Sequence, residues 1–323
     1  MTKCLCCGRQ IPETAPAESQ ESGWHSTCIK KFFGTGRLPD IDVSGEVLER
    51  LAAESTSRGF TVPGVQKKLS LHLTTGRNPR LTLVNYPTGY ILKPQTDEYG
   101  SLPEAEYLVM DMACKTGIKT VPFALVKLGA QGGNYAYITK RIDRVRSPEG
   151  LTMLAMEDFC QLDGRLTQDK YRGSYERCAK IVTAYSAQRG LDLSELFLRL
   201  VFSFATGNSD MHLKNFSLIE TECMSGKYVL SAAYDMLPVN VVLPEDQDQL
   251  ALTMNGKKRN LRKKDFFIFA ETAGLPEKTA KRIITQIVSM EEKYLSMVRE
   301  SYMPYDMKIP LEALIKERID ILR

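Results

Sequence analysis

The chain has 323 residues, 43% of them hydrophobic and 25% charged, enough to bury one large core or two medium ones. Lys and Arg outnumber Asp and Glu only 43 to 39, a formal net charge of +4, so charge by itself gives no argument for nucleic-acid binding. No apolar run reaches the ~18 residues of a membrane helix. The opening Met1-Thr2-Lys3-Cys4 shows neither a basic leader nor an apolar signal core. The sequence therefore reads as a cytoplasmic chain whose eight cysteines are reduced.

The first segment, residues 1–33, carries two close pairs. Cys4-Leu5-Cys6-Cys7 sets two residues between Cys4 and Cys7, and His25-Ser26-Thr27-Cys28 does the same for His25 and Cys28. Paired thiolate and imidazole knuckles suit tetrahedral Zn2+, and four protein ligands make such a site structural. Cys6 stands as an alternative to Cys7, and a free reduced tail is the competing reading. Between the pairs, Pro12 to Gly23 reads as a flexible polar loop. Cys114, Cys160, Cys178 and Cys223 lie in apolar surroundings and read as core residues.

Residues 34–140 carry strand signals. Leu69-Ser70-Leu71-His72-Leu73 alternates, Arg80 to Val84 and Gly89 to Pro94 follow, and turn residues separate them. Leu102 to Gly117 has helical spacing with Ser101-Leu102-Pro103-Glu104 as its start. Pro122 to Leu128 and Tyr135 to Lys140 read as two more strands. From residue 141 to 323 the pattern turns mostly helical. Tyr175 to Arg189, Leu193 to Thr206, Lys264 to Ala273 and Lys278 to Arg299 each carry apolar residues at three-and-four spacing. Lys227 to Leu252 reads as two short strands around Asp235. A β-rich part followed by a helical one predicts an α+β chain with two lobes. The basic run Lys257 to Lys264 reads as a solvated turn before a helix.

One stretch concentrates chemistry. In Gly207-Asn208-Ser209-Asp210-Met211-His212-Leu213-Lys214-Asn215, a carboxylate precedes an amide by five residues. That is the spacing of a phosphotransferase loop, in which an Asp takes the proton of the attacking hydroxyl and an Asn holds magnesium. Asp235, after an apolar strand, is the second carboxylate such a metal needs. Helix capping and a turn are the alternative for Asn208, Asp210 and Asp235 taken alone. Gly59 to Lys68 offers a phosphate loop, and Lys93 ends an apolar strand with Glu106, or its rival Glu104, as a partner on the next helix.

Gly64-Val65-Gln66-Lys67-Lys68, Tyr90-Ile91-Leu92-Lys93-Pro94, Ile138 to Arg144, Glu157-Asp158-Phe159-Cys160-Gln161 and Gly207 to Phe216, in that order, resemble the HipA-type serine/threonine kinases of bacterial toxin–antitoxin systems. The resemblance covers residues 55–300. It implies a two-lobed HipA/protein-kinase-like fold, with a β-rich N-lobe, a helical C-lobe and a short zinc-ribbon-like segment ahead of them. It also implies ATP and Mg2+ as cofactors, with Asp210 as base and Asn215 and Asp235 as metal ligands. Lys93 would bind the nucleotide phosphates, and Pro63, Gly64, Val65, Gln66, Lys67 and Lys68 would form the phosphate loop. The Lys140-Arg141-Ile142 backbone would lie along the adenine, with His212 and Lys214 near the phosphates.

The resemblance further implies autophosphorylation in the loop, and the matching position is Thr61. A second hydroxyl of some relatives falls at Pro63, which accepts no phosphate. The kinase-like part begins after about fifty residues, where full-length HipA proteins carry an extra N-terminal subdomain of about a hundred. That layout is similar to HipT, the kinase of three-part systems in which a small companion protein supplies the subdomain. Ala155 stands where many relatives have a histidine before Met-Glu-Asp.

The expected function is protein serine/threonine phosphorylation by a toxin. An aminoacyl-tRNA synthetase is the implied substrate class, a small antitoxin the partner, and DNA is reached only through it. Two alternatives stand beside this reading: a kinase-fold enzyme acting on another acceptor, and a degenerate kinase fold serving partner or DNA binding in an antitoxin complex.

Overall fold

The computed structural model describes residues 2–41, 68–74, 78–82, 89–128, 134–147 and 150–323. The chain divides into two compact units, residues 1–107 with 121–141 and residues 108–120 with 142–323.

The first unit opens with two short helices, α1 (Ala17–Ser22) and α2 (Ser26–Phe33). Both end at a glycine in the left-handed region, Gly23 and Gly34, where a side chain would be strained. The stretch Pro12 to Gly23, expected as a flexible loop, thus contains a turn of helix, capped by Gly23. Six strands then form one sheet among the described residues: β1 (Asp40–Ile41), β2 (Leu69–Thr74), β3 (Arg80–Thr82), β4 (Tyr90–Pro94), β5 (Phe123–Leu128) and β6 (Asn134–Lys140). Their order is β1-β3-β2-β4-β6-β5, antiparallel except where β1 runs parallel to β3. On β2, Leu71 and Leu73 are buried while Ser70 and His72 are not, the alternation of a half-covered strand. β6, flanked by β4 and β5, instead buries Ala136, Tyr137, Ile138 and Thr139 in succession.

α3 (Leu102–Thr116) follows β4. Pro103 sits in its first turn, where a missing N–H costs nothing, and the Gln95 side chain accepts from the Leu102 N–H at 3.2 Å. Leu102, Glu106, Val109 and Ala113 share one buried stripe.

The second unit is chiefly helical. A hairpin of β7 (Arg144–Ser147) and β8 (Gly150–Met153) leads to β9 (Met156–Asp158) and α4 (Phe159–Leu162). Then come α5 (Tyr175–Tyr185), α6 (Arg189–Thr206), β10 (Ser217–Glu220), β11 (Tyr228–Leu230) and α7 (Val239–Val242). The chain finishes with α8 (Lys263–Thr272), α9 (Glu277–Ser289), α10 (Glu291–Glu300) and α11 (Tyr305–Leu322). From Leu196 to Thr206, α6 is buried on every side, packing against α5, α9 and α11, as a helix apolar all round must.

Several expectations change. β9, β10 and β11 form a three-stranded antiparallel sheet, so one strand precedes the turn to Asp235 and the short α7 follows it in place of a second strand. Lys278 to Arg299 is two helices broken at Met290. Cys114 and Cys223 are exposed, whereas Cys160 and Cys178 are buried. No helix among the described residues is long and apolar enough to cross a membrane.

Candidate active site

In the first unit, Lys93 on β4 is 2% exposed and Glu106 on α3 is 0% exposed. Their Nζ and Oε1 atoms lie 2.5 Å apart. Lys93 is in register with Tyr137 of β6, which puts both on one face, and the ammonium sits 5.2 Å from the Tyr137 ring centroid. Of the two acids considered for Lys93, Glu106 occupies the buried stripe of α3. Glu104 lies off it, half-buried, its carboxyl pushed up by burial.

Lys140 ends β6 and Arg141 follows it, their N–H groups donating to Pro122 and Gly89 carbonyls at 2.9 Å each. Ile142 begins the second unit's long segment. Thr61, Pro63, Gly64, Val65, Gln66 and Lys67 lie outside the described residues. Lys68, at the start of β2, is exposed.

In the second unit, α6 ends at Gly207, whose φ of 70° makes the left-handed exit. A Cβ there would come within 2.9 Å of the Leu314 side chain, so any other residue would have to displace that leucine as well as bear the left-handed backbone. The loop that leaves it is held at each step. The Asn208 side-chain carbonyl accepts from the Asp210 N–H at 3.3 Å, and Ser209 donates to Asp246 at 2.6 Å. Asn215, 5% exposed, donates through Nδ2 to the Asp210 backbone carbonyl at 2.7 Å. The five-residue interval thereby closes on itself. It leaves the Asp210 carboxylate 36% exposed and engages the Asn215 amide nitrogen.

Tyr171 donates to Oδ1 of Asp210 at 2.5 Å. Burial, then the Asp210 charge, raise the phenol pKa, which keeps Tyr171 a donor. His212 is buried with Nε2 3.9 Å from Asp210 Oδ1, beyond hydrogen-bond range, and packs edge-on against Tyr171. Lys214 binds Asp158 at 2.6 Å, and Asp158 also caps α4 through the Gln161 N–H.

Asp235 lies five residues beyond β11 with φ 56°, a region an aspartate enters more readily than most residues but still at a cost. The approach to it is fixed by the buried Arg199, which donates to the Ser231 carbonyl at 2.7 Å. The Ala233 N–H donates to the Lys119 carbonyl at 2.7 Å. Backbone held this firmly sustains an unfavourable dihedral. Sequence reasoning missed Tyr171, Ser209 with Asp246, and Arg199. The arginine alone left a signal, a cation inside an apolar helix.

A model of the HipA-like C-terminal domain matches residues 60–294. The chain belongs to the HipA-like C-terminal domain family. Among curated relatives, "Putative kinase Y4dM" of Sinorhizobium fredii is 31% identical over 278 residues, 80% of this chain and 66% of that protein. A "Putative kinase" of Haemophilus influenzae is 27% identical over 76% of this chain and 77% of its own length. Solved structures share the fold. HipA, from the Shewanella oneidensis MR-1 toxin–antitoxin complex with HipB and operator DNA, matches with a TM-score of 0.67 at 20% identity. That match covers 80% of this chain and 64% of HipA. The Helicobacter pylori proinflammatory kinase CtkA matches with a TM-score of 0.51 at 15% identity, over 78% of this chain and 92% of its own. The chain thus spans about two thirds of the HipA chain and of Y4dM.

Proposed function

We propose that this HipA-like chain is an ATP- and magnesium-dependent protein serine/threonine kinase. The observation that carries the reading is the closed Asp210–Asn215 loop, in which the Asn215 amide nitrogen is held by the Asp210 backbone carbonyl while the Asp210 carboxylate stays 36% exposed. Asp210 accepts the proton of the target hydroxyl, the role its exposed carboxylate suits. Asn215 through its oxygen and Asp235 through its carboxylate supply hard ligands of the kind magnesium takes. Lys93, held by Glu106, binds nucleotide phosphate, as the strand lysine of protein kinases does. Bound ATP with magnesium would supply the phosphoryl group and offset the charge that develops during its transfer.

The buried Lys93–Glu106 pair favours activity over a degenerate binding fold, because an ion pair in an apolar layer is costly to keep without use. The toxin–antitoxin setting of the HipA neighbour extends the proposal. This chain acts in the cytoplasm as a toxin neutralised by a small antitoxin, and meets DNA only through it. The family resemblance names an aminoacyl-tRNA synthetase as the substrate class and Thr61 as the autophosphorylation site.

The test is phosphoproteomics of cells expressing the chain or its Asp210→Ala variant, with mass spectrometry of the purified protein after ATP and magnesium. Phosphate on Thr61 and on one translation protein, both lost with Asp210→Ala, is the expected result. Identical phosphopeptides with both chains would overturn it.

A further inference from the structure

The first thirty residues carry chemistry that phosphoryl transfer does not use. Cys4 to Gly8 form a tight turn: the Gly8 N–H donates to the Cys4 carbonyl at 2.8 Å, the Cys4 N–H to the Arg9 carbonyl at 2.8 Å. Gly8 sits at φ 69°, a conformation glycine adopts without strain. This turn brings Cys4 and Cys7 to one side. His25 is the residue before α2 and Cys28 lies in its first turn, so a spacing of three sets both on one side of the helix start.

The two pairs converge. The ligand atoms of Cys4, Cys7, His25 and Cys28 all lie within 4.8 Å of one another. His25 Nδ1 is 3.4 Å from Cys7 Sγ and 3.8 Å from Cys28 Sγ. A tetrahedron with Zn–S of ~2.3 Å and Zn–N of ~2.0 Å has S···N edges of about 3.5 Å, so these separations are those of ligands around one ion. The other ring nitrogen, Nε2, is 3.2 Å from the Gln10 carbonyl, the outer contact that orients a metal-binding imidazole. The His25 N–H reaches Cys4 Sγ at 3.4 Å, a bond that steadies a ligating sulfur. Cys6 is not one of the four, although its thiol hydrogen-bonds to Cys28 and its backbone carbonyl accepts from Tyr107 at 3.4 Å.

We propose that Cys4, Cys7, His25 and Cys28 bind one zinc ion in a closed structural site. Three thiolates and an imidazole complete tetrahedral coordination, and this leaves no position for a substrate. On binding, the cysteine protons pass to solvent.

The site clamps its segment to the sheet of the same unit. The Leu125 N–H of β5 donates to the Leu5 carbonyl at 2.9 Å, and the Leu5 N–H to the Gly23 carbonyl at 2.8 Å. Trp24, beside His25, is fully buried and packs on Phe32 and Phe33. Both phenylalanines meet Tyr90, the first residue of β4. Removing the ion therefore loosens the layer beneath the strand that carries Lys93. Zinc binding here does not depend on phosphoryl transfer.

The test is metal analysis of the full chain purified without chelator under reducing conditions. About one zinc per chain is expected, retained by Cys223→Ser and lost by Cys4→Ser and by Cys28→Ser. Should a variant not fold, cobalt substitution of the wild-type chain keeps the proposal testable. It should give the thiolate charge-transfer and tetrahedral ligand-field bands of a Cys3His centre, abolished by competing zinc. Wild-type protein with no stoichiometric zinc and no such cobalt spectrum would overturn the site, as would Cys28→Ser protein with undiminished zinc.

Discussion

Lys93 and Glu106 form an ion pair of 2.5 Å with almost no exposure on either side. A pair so buried adds little net stability, but removing one partner costs about 3–5 kcal/mol. Lys93→Met should therefore destabilise the protein by about that amount in urea titrations, and cut phosphate transfer by roughly 100-fold or more. The double variant Lys93→Met with Glu106→Gln should recover much of the stability and none of the activity. A double variant as unstable as the single would mean the charge is not the cause of the loss. Recovered activity would remove Lys93 from nucleotide binding.

Tyr171 reaches Asp210 from a turn 39 residues earlier in the chain. A hydrogen bond to a charged group is worth about 1.5–3 kcal/mol, so Tyr171→Phe should lower kcat by about 10-fold. Nucleotide KM should change little, and little packing is lost because Tyr171 is 44% exposed, so the melting temperature should fall only by what the hydrogen bond contributes. Unaltered kcat would show that Asp210 holds its orientation without the phenol.

Asp235 separates function from stability. With φ at 56°, Asp235→Gly relieves backbone strain of about 1 kcal/mol or more, offset by glycine's greater unfolded-state entropy. Stability should stay within about 1 kcal/mol of the wild type, while phosphate transfer falls by roughly 100-fold or more with the loss of a metal ligand. Asp235→Ala, which relieves nothing, should lose both. An active Asp235→Gly protein would remove the residue from the metal site.

Stability should also report the acid range. Burial raises the Asp163 pKa, but hydrogen bonds from Arg165 and Arg177 outweigh it and hold the carboxyl below its ordinary value. A depressed pKa contributes stability that is present above the unfolded value of ~3.9 and is lost as pH falls through the folded one. Asp163→Asn should thus cost about 1–2 kcal/mol near neutral pH, discounted for the half-exposed Arg177. The gap from wild type should close in acid. A gap independent of pH would assign the loss to packing.

The parts of this site legible in the sequence are those set by short spacing. Asp210 and Asn215 stand five apart, so one loop joins them, and Lys93 betrays itself as a cation in an apolar strand. Glu106 prevails over Glu104 only through the stripe that α3 buries, which depends on the helix's rotation against the sheet. Tyr171 left no periodic signal because an irregular turn carries it. The strand β10 was hidden for a different reason: Ser217–Glu220 directly follows the Asp210–Asn215 loop, and its four residues are too few to show alternation. Cys114 fell on the exposed side of a helix whose apolar composition suggested burial all round. The hairpin β7–β8 went unseen because its residues have no clean alternation between apolar and polar positions.

The most direct measurement is transfer of labelled phosphate from ATP, with magnesium, by the wild type and by Asp210→Asn. The amide keeps the size of the side chain and a hydrogen-bond acceptor for Tyr171, so the loop should stay folded, which circular dichroism and melting temperature verify. The wild type should incorporate phosphate and the variant should lose roughly 100-fold or more, because the amide accepts no proton from the target hydroxyl. Equal incorporation by the folded Asp210→Asn protein would contradict that role for Asp210.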